Sequence, residues 1–230
     1  MKDSNTCPHC RQRNDLKETS CTYCSQALLL PAEGSVAIWR LGPIREGLIG
    51  ILARAISDSL NRPCVIQPAF MDERLSLRPG WRGISSNVFL RQTLSRHRKG
   101  EVVALGITEK NIVPSADYNF LFGYAYLGLP AATASVHPLV PDNPSEALLA
   151  ERLAKIALHE IGHCFGLDHH TYDEEIDCLM VGDAEVDCTG EVDLGDIRFC
   201  KQCLTGIRKK LRRCRCFRLS KRGIPIHDSL

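Results

Sequence analysis

The stretch "HEIGHCFGLDHH", residues 159 to 170, packs four histidines into twelve positions at the end of a long amphipathic run. No other segment constrains the chain as much, because this one dictates a secondary structure and a chemistry together. The run that leads into it, "DNPSEALLAERLAKIALHEIGHCFG", repeats apolar residues at helical spacing. Asn143 is the expected N-cap, with Pro144 at the first helical position and Glu146 three residues past the cap. On such a helix residues four apart lie one above the other, so His159 and His163 present two imidazoles to one ion. Gly166 is expected to end the helix, since a residue without Cβ enters the left-handed conformation freely and turns the chain sharply. That turn delivers His169 as a third ligand.

Three protein ligands leave a zinc ion a fourth position for water, which the ion acidifies towards neutrality. Glu160 lies one residue along from His159, close enough to take a proton from that water and pointed away from direct coordination. The five-residue pattern H-E-x-x-H is weak evidence by itself. The extended pattern H-E-x-x-H-x-x-G-x-x-H is strong, because each added residue has a stereochemical task. His159, His163 and His169 are therefore the expected ligands of a catalytic zinc. Glu160 is the expected general base, returning the proton later to a leaving amine.

The chain has twelve cysteines, and most of them fall in short-spaced groups. The N-terminus "MKDSNTCPHC" has no apolar run after its lysine, so it does not read as a secretory signal, and the expected location is cytoplasmic. In a reducing compartment such cysteines point to metal rather than to disulfides. "CPHC" and "CTYC" set Cys7, Cys10, Cys21 and Cys24 in the paired spacing of a short zinc ribbon, and so short a head needs an ion to fold. Cys64 and Cys164, isolated among apolar residues, are expected to be buried thiols.

Three stretches follow from this: a zinc-ribbon-like module over 1–30, a main domain over 35–211 and a basic tail over 212–230. Within the main domain strand and helix patterns alternate, with strands at 36–41, 64–70 and 101–109 and helices at 44–60 and from Ser85 or Ser86 to about Arg98. The class is α+β, a mixed twisted sheet flanked by helices. The most apolar stretch, 118–136, alternates in period two and is broken by Gly-Leu-Pro, which suits a strand hairpin and not a membrane span. The net charge of +2 hides a lopsided layout, because residues 168–196 carry eleven acidic side chains and no Lys or Arg, whereas 205–222 carry nine basic ones and no acid. That basic tail suits either a phosphate backbone or acidic partner, or a solvated face that balances the acidic segment; its single aromatic, Phe217, offers little stacking for bases.

The extended histidine motif, followed by "CLM" at 178–180 and "CKQC" at 200–203, resembles the archaemetzincins, a small branch of the metzincin metallopeptidases. The similarity covers about residues 35–211 and includes "YNFLFGYAYLGLPAATASVHPL", which is similar to the family's paired strands above the cleft. The resemblance implies a second, structural zinc held by four cysteines: one directly after the third histidine, one shortly before the Met-turn methionine and a downstream C-x-x-C. This chain has His170 at the first of those places. Imidazole ligates zinc, so the expected structural site is His170, Cys178, Cys200 and Cys203, the last two on one face of a short helix. Cys188, nearer the C-x-x-C, competes with Cys178. By the same resemblance Met180 is the Met-turn residue beneath the catalytic histidines, and the strand around Ala131 to Val136 is the cleft edge on which an extended peptide adds.

The expected function is that of a zinc-dependent metallopeptidase acting on a peptide or protein substrate, with one catalytic and two structural zinc ions. A different class stays open, a non-catalytic adaptor or nucleic-acid-binding protein in which zinc sites are scaffolds and the ribbon and tail engage a nucleic acid or protein partner. Hydrolysis of a non-peptide amide is a third reading.

Overall fold

In the computed structural model of the chain, residues 4–6, 13–15, 34–70, 77–98, 100–170, 177–182, 192–193 and 195–213 are described. Strands β1 (Ser4–Thr6) and β2 (Arg13–Asp15) pair antiparallel in the head. Cys7, Cys10, Cys21 and Cys24 lie outside the described residues, as do Cys188 and the tail from 214 onwards.

The main sheet starts with β3 (Ser35–Leu41), whose alternating side chains are apolar on both faces, the pattern of a strand covered by helices on each side. Helix α1 (Glu46–Leu60) follows, burying Leu48, Ile49, Leu52, Ile56 and Leu60. Next come β4 (Cys64–Phe70), β5 (Ile84–Ser85), α2 (Ser86–Leu94), β6 (Glu101–Thr108), β7 (Ile112–Val113), β8 (Gly123–Ala125) and β9 (Ala131–Ser135). After them come α3 (Glu146–Cys164) and α4 (Lys201–Arg213). The five-stranded sheet runs β4-β3-β6-β9-β8, with β4, β3, β6 and β9 parallel and β8 antiparallel to β9 at the edge. Val36, Ile38, Val103 and Leu105 pack with Leu52 of α1 and Leu153 and Ala157 of α3 on one face. Leu41 packs with Phe89 of α2, Ile84 and Ile112 in a separate cluster. The result is the mixed sheet flanked by helices that the strand and helix patterns imply.

Four local expectations change. The N-cap of α3 is Ser145, not Asn143: the Ser145 hydroxyl accepts from the Leu148 N–H at 3.2 Å. Asn143 cannot serve, because a turn in which its N–H bonds the Val140 carbonyl forces it to φ 50°, away from the extended backbone that a cap needs. Helix α2 stops at Leu94, where Ser95 turns its hydroxyl back onto the Gln92 carbonyl. Cys200 lies one residue before α4 instead of within it. Finally, the cleft edge is β8 and not the strand at 131–136: β9 is hydrogen-bonded on both sides, to β6 and to β8, so it has no free edge to offer a peptide. Among the described residues no helix is long and apolar enough to cross a membrane.

Candidate metal centre and cleft

The end of α3 assembles the first cluster. Gly166 sits at φ 77°, its N–H bonds the His163 carbonyl at 2.8 Å, and the Leu167 N–H reaches back to the Gly162 carbonyl at 3.1 Å. These are the paired closing bonds of a Schellman turn, which a glycine at that position permits without strain. The reversed chain brings His169 over the helix, so that its Nε2 lies 3.0 Å from Nε2 of His159 and 3.1 Å from Nε2 of His163, while those two are 3.1 Å apart.

Backbone carbonyls fix the tautomers. Nδ1 of His159 faces the Leu179 carbonyl at 2.7 Å, and Nδ1 of His163 faces the Leu167 carbonyl at 2.9 Å. A carbonyl only accepts, so both Nδ1 atoms carry the proton and both Nε2 atoms present lone pairs to the common centre. Burial, reinforced by His163, pushes the His159 imidazole down to about 3, so the ring stays neutral. Lone pairs aimed at one another repel unless a cation lies between them. A tetrahedral zinc with bonds of about 2.0–2.1 Å spaces its nitrogens by about 3.3 Å, and the three rings fit that requirement closely.

The second cluster takes up the other half of the doublet. Nε2 of His170 lies 3.1 Å from Sγ of Cys203 and 3.4 Å from Sγ of Cys200, and the Cys178 and Cys203 sulfurs are 3.8 Å apart. Metal–sulfur bonds of about 2.3 Å in a tetrahedron separate the sulfurs by about 3.8 Å, so these four donors also fit zinc. A hydrogen bond from Cys203, joined by the N–H groups of Cys200 and Met180, lowers the Cys178 thiol to about 5, which favours the ligating thiolate. Met180 is fully buried against α3, where a Cβ on Gly162 would lie 2.3 Å from its sulfur.

Both clusters border a cleft of about 780 Å³ whose floor is α3, whose upper wall is β8 with its flanking residues, and whose lower wall is formed by 177–182, 192 and 195–196. Glu160 points into it, only 8% exposed and without a hydrogen-bond partner among the described residues. Burial raises its carboxyl to about 8, and a divalent cation on the three histidines would act in the opposite sense.

A model described as Peptidase family M54 matches residues 97–209. The archaemetzincin of Thermococcus kodakarensis is 34% identical over 188 residues, covering 77% of this chain and 95% of that protein. The chain belongs to the archaemetzincin family. The Pyrococcus furiosus archaemetzincin is 34% identical over 116 residues, a match that spans 57% of that protein and 49% of this chain. Among solved structures, the archaemetzincin from Archaeoglobus fulgidus, complexed with malonate, superposes with a TM-score of 0.62 at 28% identity, covering 75% of this chain and 99% of that one. The archaemetzincin from Methanopyrus kandleri gives 0.63 at 22% identity, over 78% and 96%, which speaks to the fold alone.

Several residues that shape this archaemetzincin's site carry no motif. Gly123 of β8 leaves room for Glu160: a Cβ there would lie 2.5–2.8 Å from the carboxylate side chain. The carbonyls of Leu179 and Leu167 orient two histidines. Arg152, buried in α3 two turns before His159, uses all five of its N–H donors. Nε and Nη2 bind Asp193 at 2.7 Å each, Nη1 and Nη2 bind Asp142 at 2.7 Å each, and Nη1 also reaches the Leu139 carbonyl at 3.1 Å. This fork pins the segment carrying Val192 and Asp193 to the helix that bears the histidines. Its one trace in the sequence is an arginine embedded in an apolar helix face, ahead of an acid-only segment.

Proposed function

We propose that this chain is a zinc-dependent metallopeptidase in which His159, His163 and His169 hold the catalytic ion and Glu160 is the general base. The observation that carries the reading is Glu160 itself, a buried carboxylate with no hydrogen-bond partner among the described residues, turned into the cleft beside three converging imidazole lone pairs. A purely structural zinc site has no use for such a group. The bound ion would acidify a water at its open position. Glu160 would serve as the proton acceptor for the attacking water and as the proton donor to the leaving amine. The edge of β8 offers main-chain groups on which an extended substrate adds as a further strand.

On this reading His170, Cys178, Cys200 and Cys203 hold a structural zinc, supported by ligand atoms that all lie within 4.8 Å of one another. Cys7, Cys10, Cys21 and Cys24 hold a third ion in the head. Metal analysis and peptide turnover of wild type and Glu160→Ala test the proposal. Three zinc equivalents in both proteins, with turnover lost in the variant, is the expected outcome. Equal turnover by both proteins removes the mechanism.

A further inference from the structure

The two walls of the cleft differ in chemistry. Residues 118–127, which supply the upper wall, contain no charged side chain, and three of them, Tyr118, Tyr126 and Leu127, are 51%, 39% and 57% exposed. The lower wall contributes Asp177 and Asp196 to the lining, and Asp168 lines the cleft just past the end of α3. Lys155 on the floor is the one basic residue of the lining, but its ammonium is buried, 3.0 Å from Glu151 and 3.4 Å from the Asp193 carbonyl. Arg198 pairs with Asp177 and lies 3.8 Å from Asp196, which remains 76% exposed. Asp168 accepts the neighbouring His169 N–H. Among the described residues one cation, Arg198, is thus shared by two carboxylates of the lower wall, Asp177 and Asp196, which leaves that wall with an excess of negative charge, while the Lys210 side chain lies beside Gly166 and Gly128 towards the Asp168 end.

A lysine or arginine side chain matches both walls at once. Its aliphatic stem lies along apolar or aromatic surface, tyrosine faces attract the cationic head, and a carboxylate across the cleft completes the pairing. An acidic side chain gains from the apolar wall alone and is repelled by the other. We propose that the cleft selects cationic peptide segments, those with lysine or arginine next to the bond attacked. This rests on the peptidase reading for its chemistry, although the selection itself is a property of binding.

The test uses three fluorogenic peptides of one backbone, with Lys, Ala or Glu on both sides of the scissile bond, and the zinc-loaded full chain. The expected kcat/KM for the Lys peptide exceeds that for the Glu peptide by at least about tenfold, and the ratio shrinks as salt shortens the Debye length from about 10 Å to about 3 Å. Asp196→Lys is expected to lower or invert the ratio. Equal rates, a preference for Glu, or a ratio untouched by Asp196→Lys overturns the proposal. If none of the peptides is cut, the peptidase reading fails separately, and fluorescence anisotropy on zinc-loaded Glu160→Gln still ranks them. Tightest binding of the Lys peptide there upholds the selection, and equal binding overturns it.

Discussion

His170→Ala removes the one nitrogen donor from the proposed structural site, and the structure says how far the damage travels. A full set of four ligands binds structural zinc with roughly 10–16 kcal/mol, so one of four is worth about 3 kcal/mol, or about a hundredfold in affinity. The loss is not confined to that ion. Cys178 is one of its proposed ligands, the Leu179 carbonyl orients His159, and Met180 packs beneath Gly162, so three consecutive residues join the two centres. With Cys178 released, the carbonyl that holds the His159 tautomer loses one of its supports and keeps the bond from the Leu179 N–H to the Arg198 carbonyl. Loss of such an orienting partner weakens a catalytic metal site by about 10- to 100-fold. The assay is zinc content after dialysis against chelators of graded strength. His170→Ala is expected to lose one zinc at mild chelation and the catalytic zinc earlier than wild type does. His170→Cys, which puts a thiolate donor at the same place, is expected to retain both. Full zinc content and unaltered release from His170→Ala would refute the assignment of His170 and the coupling together.

Gly123→Ala should push the Glu160 carboxylate aside without touching a ligand, so kcat is expected to fall by about 10- to 100-fold at unchanged zinc content; a variant with wild-type kcat would show that Glu160 does not need its present position. Gly166→Ala places a Cβ at φ 77° and is expected to destabilise the fold by about 1–2 kcal/mol, read as a lower urea midpoint, whereas an unchanged midpoint would mean the turn relaxes freely. The Arg152 guanidinium holds the carboxyls of Asp142 and Asp193 below their ordinary range. Their folded-state values being depressed, the stability they confer is present above the unfolded value of about 3.9 and is lost as pH falls through the folded values. Thermal midpoints between about pH 5 and pH 3 should therefore fall more steeply for wild type than for Arg152→Met, and parallel slopes would remove the linkage.

The parts of the site that were legible in the sequence are those set by local geometry. His159, His163 and Glu160 are related by helical periodicity, and Gly166 is related to them by the chemistry of a helix end, so a single stretch of sequence specifies all four. The strands at 35–41, 64–70 and 101–108 were equally readable because a short apolar run rich in β-branched residues is a local property. The misplaced features depend on which element lies beside which. Ala131 to Ser135 reads as a cleft strand, yet whether it is the edge or the interior depends on where the three residues of β8 pair, which its own sequence does not encode. Asn143 has the composition of a cap, and a turn bond to Val140 overrides it. Gly123 and Arg152 act across gaps of 37 and 41 residues, on Glu160 and Asp193, so periodicity cannot reveal them.

The adjacent histidines can now be placed among these long-range contacts. Successive side chains of an extended segment point in opposite directions, so a doublet serves two centres where a helical pair serves one. His169 turns towards His159 and His163, and His170 towards Cys200 and Cys203. The main chain between them is not free to twist, because the His170 N–H bonds the Met180 carbonyl at 2.8 Å and His170 bridges to Val181. The chain thus crosses from one centre to the other twice, at 169–170 and at 178–180, and the two crossings are hydrogen-bonded together. Two crossings tied in this way resist rotation of one cluster against the other, which a single connection would permit. Any displacement of a ligand in one centre must then be shared by the other, and by linkage the coupling is reciprocal: whatever factor structural zinc adds to catalytic zinc affinity, catalytic zinc returns.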